Sequence, residues 1–371
     1  IVFGDWSSDV CSSDLGSYDF RGPACVRALA DVIRFAIGSL ADVQGRKITD
    51  LRPGLEVLTN NTGLVGSSHG GNACGLAMAR FGSEFPGLAW YASMESPYGE
   101  GAANVELGSR ESGLNPAYDP ATGAIDWSLL AWAPDLSPGL FRKNMPVETR
   151  TMKGAFFFDL NRDGRHVDGE DFPANCFVGD AGTGAKAWYL PRLLAEAAKR
   201  TLVEGQAPAH LPSLTEAREF WSWRDAAASI PESVRQCPQL AVIVYANERD
   251  HVQADPGHTH IVEQVEGFRK AGARFVRLNP DRAYVTRVTA SGPIVGRNLV
   301  FPDNPAGNAW DRKTISTGLE PATLPLGLYM QAAVAELADR TQASDWKPDL
   351  DAVLFPAAPA PVGPPAAGRG R

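Results

Sequence analysis

Thr62–Phe81, TGLVGSSHGGNACGLAMARF, is the stretch whose reading decides the fold. Thr62 to Gly66 is a short apolar run of the kind a buried strand needs, and Asn72–Phe81 is a run of small residues that reads as a helix. Between them stands Gly66-Ser67-Ser68-His69-Gly70, a G-x-S-x-G pattern. A strand that turns directly into a helix brings the chain so close to itself that residues two before and two after the central one must be small. Gly66 and Gly70 meet that demand, and Gly71 extends it. Such a turn would hold Ser68 in a strained backbone conformation at a helix N-terminus, where negative charge is stabilised. The plainer reading of the same residues is a glycine-rich turn without chemistry.

Working outward, Leu88–Met94 (LAWYASM) reads as a second buried strand, and Cys25–Leu40 as an amphipathic helix. Leu240–Asn247 (LAVIVYAN) is nearly continuous in apolar residues, as a strand covered on both faces should be. Ile261, Val265 and Phe268 form a helical stripe closed by Ala271-Gly272. Arg274–Leu278 (RFVRL) is the next strand, and Leu326–Leu337 a final helix. This alternation predicts an α/β fold with a parallel sheet and helices on both faces. Right-handed crossovers then put all strand C-termini, and any site, along one edge. From about Glu95 to Gln236 the text is irregular, rich in Gly, Pro and Trp, with helices expected near Ala187–Leu202 and Leu214–Ala228. The predicted organisation is a core from residues 16–95 and 237–345, an insertion or lid from 96–236, and a Pro/Ala/Gly tail over 346–371.

The opening residues read differently from the rest. Trp6–Leu15, WSSDVCSSDL, back-translates into a string that resembles a common short-read sequencing adapter. Residues 1–15 are therefore set aside as an artefactual leader. On that reading the first strands of the fold are missing. The Thr62–Gly66 strand is then expected at an open edge, which exposes unpaired backbone groups and invites aggregation.

Hydrophobic content of 44% and charged content of 21% are those of an ordinary globular chain. Net charge is −8, with no basic stripe, which disfavours nucleic acid as a partner. No apolar run reaches the roughly 18 residues of a membrane span. Cys25, Cys74, Cys176 and Cys237 lack CxxC spacing, which leaves zinc unsupported; two disulfides and four buried thiols both remain open.

The elbow pattern, together with Tyr18-Asp19-Phe20-Arg21-Gly22 and the Leu240–Leu337 region, resembles the α/β-hydrolase superfamily. Asp19-Phe20-Arg21-Gly22 is similar to the D-x-R-G turn that follows the fourth strand there. The resemblance implies a partial α/β-hydrolase sheet and a serine hydrolase with Ser68 as nucleophile. The family's acid follows the strand matching Leu240–Asn247, which points to Asp250. Its histidine follows the next strand, but this sequence has no histidine beyond His260. The candidates for the base are therefore His260 and His258, with His260 on the helix's first turn preferred. The backbone N–H of His69 would be one oxyanion donor; the family's second comes from a loop after the third strand, which on this reading lies upstream of Gly16.

Asp159–Glu170, DLNRDGRHVDGE, fits D-x-N-x-D-G with Glu at position twelve. Ca²⁺ prefers oxygen ligands, which Asp159, Asn161, Asp163, the Arg165 carbonyl and Glu170 would supply. His166 stands where an apolar residue is usual, and no helical pattern precedes the loop. It is similar to calcium loops of bacterial secreted proteins, which favours an extracellular or periplasmic setting without fixing it. The plainer reading is an acidic turn. Gly179–Lys186 is close to a phosphate loop, but its lysine is one residue late and Ala187 replaces Ser/Thr, so nucleotide binding is rejected.

The sequence thus predicts hydrolysis of a carboxylic ester, or an amide, in a small-molecule or peptide-like substrate. Structural calcium is expected, and no organic cofactor. Trp127, Trp132, Trp188, Trp221 and Trp223 are available for an apolar acyl pocket or for the core. The alternative is a non-catalytic α/β-hydrolase-like binding protein stabilised by calcium.

Overall fold

The computed structural model describes residues 2–4, 19, 21–51, 54, 56–99, 106–109, 113–138, 152–245, 258–281, 283–284, 287 and 326–346. Its centre is a five-stranded sheet in the order β1 (Val2–Gly4), β2 (Thr62–Ser67), β3 (Leu88–Met94), β13 (Ala241–Tyr245) and β14 (Phe275–Leu278). Every pairing within it is parallel. The alternation of side chains assigns the faces. Leu64, Tyr91, Val242, Val244, Val276 and Leu278 pack into one core with the helices α1 (Pro23–Ala36), α2 (His69–Phe81), α5 (Ile230–Gln236) and α6 (Thr259–Lys270). Val65, Trp90, Ala92, Ala241, Ile243 and Phe275 face the opposite way, onto Met330, Ala333 and Leu337 of α7 (Leu326–Ala343). The chain is therefore an α/β protein with a parallel sheet covered on both faces, which is why its strands read as apolar runs rather than alternating ones.

The open edge expected for Thr62–Gly66 is not found. Val2, Phe3 and Gly4 pair in parallel with Leu64, Val65 and Gly66, so β2 has a partner on each side. The expectation failed because residues 1–5 were set aside with the ten that follow, although Ile1-Val2-Phe3 is itself a β-favouring apolar run.

A buried polar network fastens α7. Arg277, on the α7 side of β14, donates to Glu336 at 2.6 Å and to Asp281 at 3.1 Å. Glu336 also accepts from Arg340 at 2.9 Å and from the Asp281 backbone N–H at 2.7 Å. Burying a carboxylate is costly unless it is paired and hydrogen-bonded, and Glu336 is both.

The region read as irregular holds short antiparallel pairs: β4 (Gly108–Ser109) with β5 (Gly113–Leu114), and β6 (Tyr118–Asp119) with β7 (Ala124–Ile125). A three-stranded sheet follows, in the order β10 (Phe172–Pro173), β9 (Ala155–Phe158), β8 (Leu130–Ala133). β11 (Phe177–Asp180) and β12 (Ala185–Trp188) form a hairpin, so part of the expected 187–202 helix is strand, and α3 begins only at Pro191 (Pro191–Lys199). α4 spans Leu214–Ser222, opened by a capping box in which Ser213 and Glu216 bond each other's backbone N–H. Phe156, Phe158, Trp188, Phe220 and Trp221 give these elements a core of their own. Among the described residues no helix is long and apolar enough to cross a membrane. Cys25, Cys74, Cys176 and Cys237 are all buried, and no disulfide joins any two of them.

Candidate active site

Ser68 lies between the end of β2 and the start of α2, with φ 50° and ψ −128°. A non-glycine residue at positive φ costs on the order of 1–3 kcal/mol, and persists only where its surroundings impose it. Here they do. The Ser68 N–H donates to the Met94 carbonyl at 2.9 Å, and Gly71 N–H donates to the Ser68 carbonyl at 3.0 Å. A Cβ on Gly66 would lie 2.6 Å from the Gly71 Cα, and one on Gly71 would lie 1.8 Å from Ser96 Oγ. The close crossing that the sequence pattern demands is present, and the Ser68 side chain is half-buried rather than enclosed.

The first turn of α2 is held from the β3 side. Tyr91 and Tyr98 both donate to the Gly71 carbonyl, at 3.0 and 3.1 Å, and Asn72 donates to the Pro97 carbonyl at 2.9 Å. Burial pushes both phenols upward, so they remain protonated donors. His69, the first residue of α2, packs its ring edge-on to Phe177 at 4.9 Å, tying the elbow to the β11–β12 hairpin. Its backbone N–H lies in the first turn of α2, where the helix dipole favours negative charge.

The two candidate bases enter from α6. His258 caps the helix in the left-handed region, φ 49° and ψ 46°, and His260 sits on its first turn. Both are buried, at 5% and 1% exposure, with ring centroids 6.1 Å apart. The helix starts at the same sheet edge that carries Ser68, and one turn further on Gln264 bonds Ser93 Oγ of β3 at 2.9 Å. Asp250 lies outside the described residues.

A residue the sequence reading passed over is Glu95, the first beyond β3. It has φ 44°, is 1% exposed, and its N–H donates to the Tyr245 carbonyl at 3.2 Å. The available signal was an acidic residue set directly after an uninterrupted apolar strand.

The Asp159–Glu170 loop lies elsewhere, as the connection from β9 to β10, whose Phe158 and Phe172 pair across it. Asp159 accepts from the N–H groups of Asp163 at 3.2 Å and Gly164 at 2.9 Å; Asn161 accepts from Asp163 and Asp163 from Arg165. The carboxylate closing the loop from its far end is Asp171, which accepts from Leu160 at 2.9 Å and Val167 at 2.8 Å, whereas Glu170 is exposed. His166 fills the usual apolar position by packing its ring on Phe157 at 5.3 Å. Among the described residues no group of three or more His, Cys, Asp and Glu side chains is gathered as a metal site. Gly179–Lys186 is the turn of the β11–β12 hairpin, with Asp180 accepting from Gly182 and Gly184, and so does not lead into a helix N-terminus.

The tryptophans serve packing. Trp188 stacks on Phe220 at 4.2 Å, Trp221 donates to the Tyr189 carbonyl at 3.0 Å, Trp132 lies against Phe156, and Trp223 lies under Arg80. Compared with known proteins, the chain matches no protein-family model, no curated protein and no solved structure.

Proposed function

We propose that this chain is a serine hydrolase of the α/β-hydrolase kind that cleaves a carboxylic ester or an amide through an acyl-enzyme on Ser68. The observation that carries the reading is the conformation of Ser68: a strained, half-buried serine between a parallel strand and a helix, with Gly66 and Gly71 at the crossing. In this reaction Ser68 Oγ attacks the carbonyl carbon while an imidazole takes the hydroxyl proton. His260, or His258, supplies that imidazole and returns the proton to the leaving alcohol or amine; water then releases the acid by the same steps. The His69 N–H receives the developing oxyanion, an interaction whose loss typically costs ~10²–10³ in turnover. Asp250 is the acid that the family resemblance suggests.

A fluorophosphonate tests the reading, because only an activated serine reacts with it. Labelling should occur and should disappear in Ser68→Ala. The sequence has no histidine after His260, which favours a second reading, a binding protein on the same scaffold. On that reading no serine is labelled.

Calcium is proposed for the Asp159–Glu170 loop as a structural ion. The support is its oxygen-rich donor pattern in a loop clamped at both ends by the Phe158–Phe172 pair. Calcium should raise the melting temperature, and Asp159→Ala should abolish the rise. An unchanged melting temperature at excess calcium would remove the ion from the account.

A further inference from the structure

A buried path of hydrogen bonds runs from α6 to the turn that carries Ser68. Gln264, on the second turn of α6, brings its amide to Ser93 Oγ of β3, with Nε2 at 2.8 Å and Oε1 at 2.9 Å. Ser93 Oγ lies 2.8 Å from Ser96 Oγ, and Ser96 Oγ lies 3.5 Å from the Met94 carbonyl. That carbonyl is the one that accepts the Ser68 N–H at 2.9 Å. With Gln264 Nε2 donating to Ser93, each hydroxyl donates once along the path, Ser93 to Ser96 and Ser96 to Met94. Ser96 also abuts the first turn of α2, because a Cβ on Gly71 would lie 1.8 Å from its Oγ. The Tyr91 and Tyr98 hydroxyls hold the Gly71 carbonyl of the same turn.

The path is enclosed: Gln264 and Ser96 are 0% exposed and Ser93 is 1% exposed. Around it α6 packs into the core through Ile261, Val265 and Phe268. A leucine at position 264 would extend that apolar face without an amide to desolvate, so packing alone does not call for glutamine. What the amide adds is register. Apolar contacts tolerate a helix that slides along a strand, whereas a buried hydrogen bond is lost in the slide and strands both of its partners. Register matters most at the start of α6. His260 lies one turn before Gln264 on the same helix, and His258 caps it. A slip of one residue along the helix axis would move both imidazoles ~1.5 Å against the sheet edge.

We infer that Gln264, acting through Ser93 and Ser96, is a positioning residue that sets the histidine-bearing helix in register with the nucleophile turn. The inference rests on the serine-hydrolase reading above, with the base drawn from α6. The part played by Gln264 is geometric: it fixes where the imidazole stands when Ser68 loses its proton, and it takes up no proton itself.

The test uses the full chain and a fluorophosphonate, with the labelling rate at Ser68 followed against reagent concentration. Gln264→Leu keeps the bulk and removes the amide, and Ser96→Ala cuts the path at its elbow end. In each the saturating rate should fall about 10²-fold, the scale of a ~1 Å displacement of a reacting group, while the concentration giving half that rate stays unchanged. Ser96→Ala carries the same expectation should the leucine variant not fold. Val265→Ala is the structural control. It removes buried packing from the same helix, so it should lower the melting midpoint at least as far as Gln264→Leu yet label at the wild-type saturating rate. The double variant Gln264→Leu/Ser96→Ala should be no slower than the slower single one, because both cut one path. A wild-type saturating rate in Gln264→Leu or Ser96→Ala, an equal slowing in Val265→Ala, or losses that multiply in the double variant would overturn the inference and leave the hydrolase reading standing. A wild-type chain that never labels overturns the hydrolase reading, and with it any part for Gln264 in catalysis.

Discussion

Replacing Gly66 by alanine puts one methyl group into the crossing between β2 and α2. That carbon would lie 2.6 Å from the Gly71 Cα and 2.8 Å from the Gly71 N, both backbone atoms. Carbon contacts settle at ≈ 3.5–4.0 Å, so the first turn of α2 must withdraw by about 1 Å. The neighbours leave it little room, because the Gly71 carbonyl is held by Tyr91 and Tyr98 and Asn72 by the Pro97 carbonyl. Overpacking of this kind costs about 1–3 kcal/mol. An error of about 1 Å in the position of a reacting group costs on the order of 10² in rate. The control is Gly45→Ala, at an exposed turn with φ +77° and nothing within 4 Å, where only the conformational penalty of roughly 1–2 kcal/mol applies. Denaturant melts should show both variants destabilised by similar amounts. Fluorophosphonate labelling should slow about 10²-fold in Gly66→Ala and stay at the wild-type rate in Gly45→Ala. Equal labelling of the two variants would refute the claim that the crossing sets the position of Ser68.

Other expectations follow from groups away from the serine. Glu336→Ala should destabilise the chain by about 3–5 kcal/mol in urea melts, because it removes the buried carboxylate shared by Arg277 and Arg340 and leaves the buried Arg277 guanidinium less fully paired, though still bonded to Asp281; a loss below ~1 kcal/mol would mean the network holds α7 without Glu336. Burial pushes the Cys74 and Cys237 thiols up to about 12. Both should therefore resist a thiol reagent at pH 8 until denaturant is added, and rapid native reaction at either would contradict their burial. The hydrogen bond from Lys186 and those from Ser213 lower the Glu216 carboxyl to about 2. A depressed folded value means the stabilisation is present above its unfolded value near pH 4.5 and is lost as pH falls through about 2. The partly exposed pair contributes little, so Glu216→Gln should remove a small acid-side slope from melts in that window, and an unchanged slope would dismiss Glu216 as its source.

The elements legible in the sequence were those with long apolar runs. LAWYASM coincides with β3 residue for residue, and LAVIVYAN contains β13, because strands covered on both faces admit few polar residues. The glycines around Ser68 were legible for a steric reason that the close crossing repeats. The 96–236 region was not legible: its strands are two to four residues long, too short for periodicity to register, and its core is assembled from distant aromatics such as Trp188 and Phe220. β1 was missed because an apolar triplet was discarded with its neighbours. Glu95 was passed over because the family resemblance directs attention to the acid after the Leu240–Asn247 strand, and only the register of β2 with β3 puts Glu95 next to Ser68.

The most direct test of the central claim is covalent. The full chain is incubated with a fluorophosphonate, digested, and the modified residue located by mass spectrometry. The account predicts one adduct, on Ser68, absent from Ser68→Ala and weakened as pH falls and the imidazole base takes up a proton. An adduct on another serine, or labelling of the folded wild-type chain no faster than of the unfolded one, would contradict it.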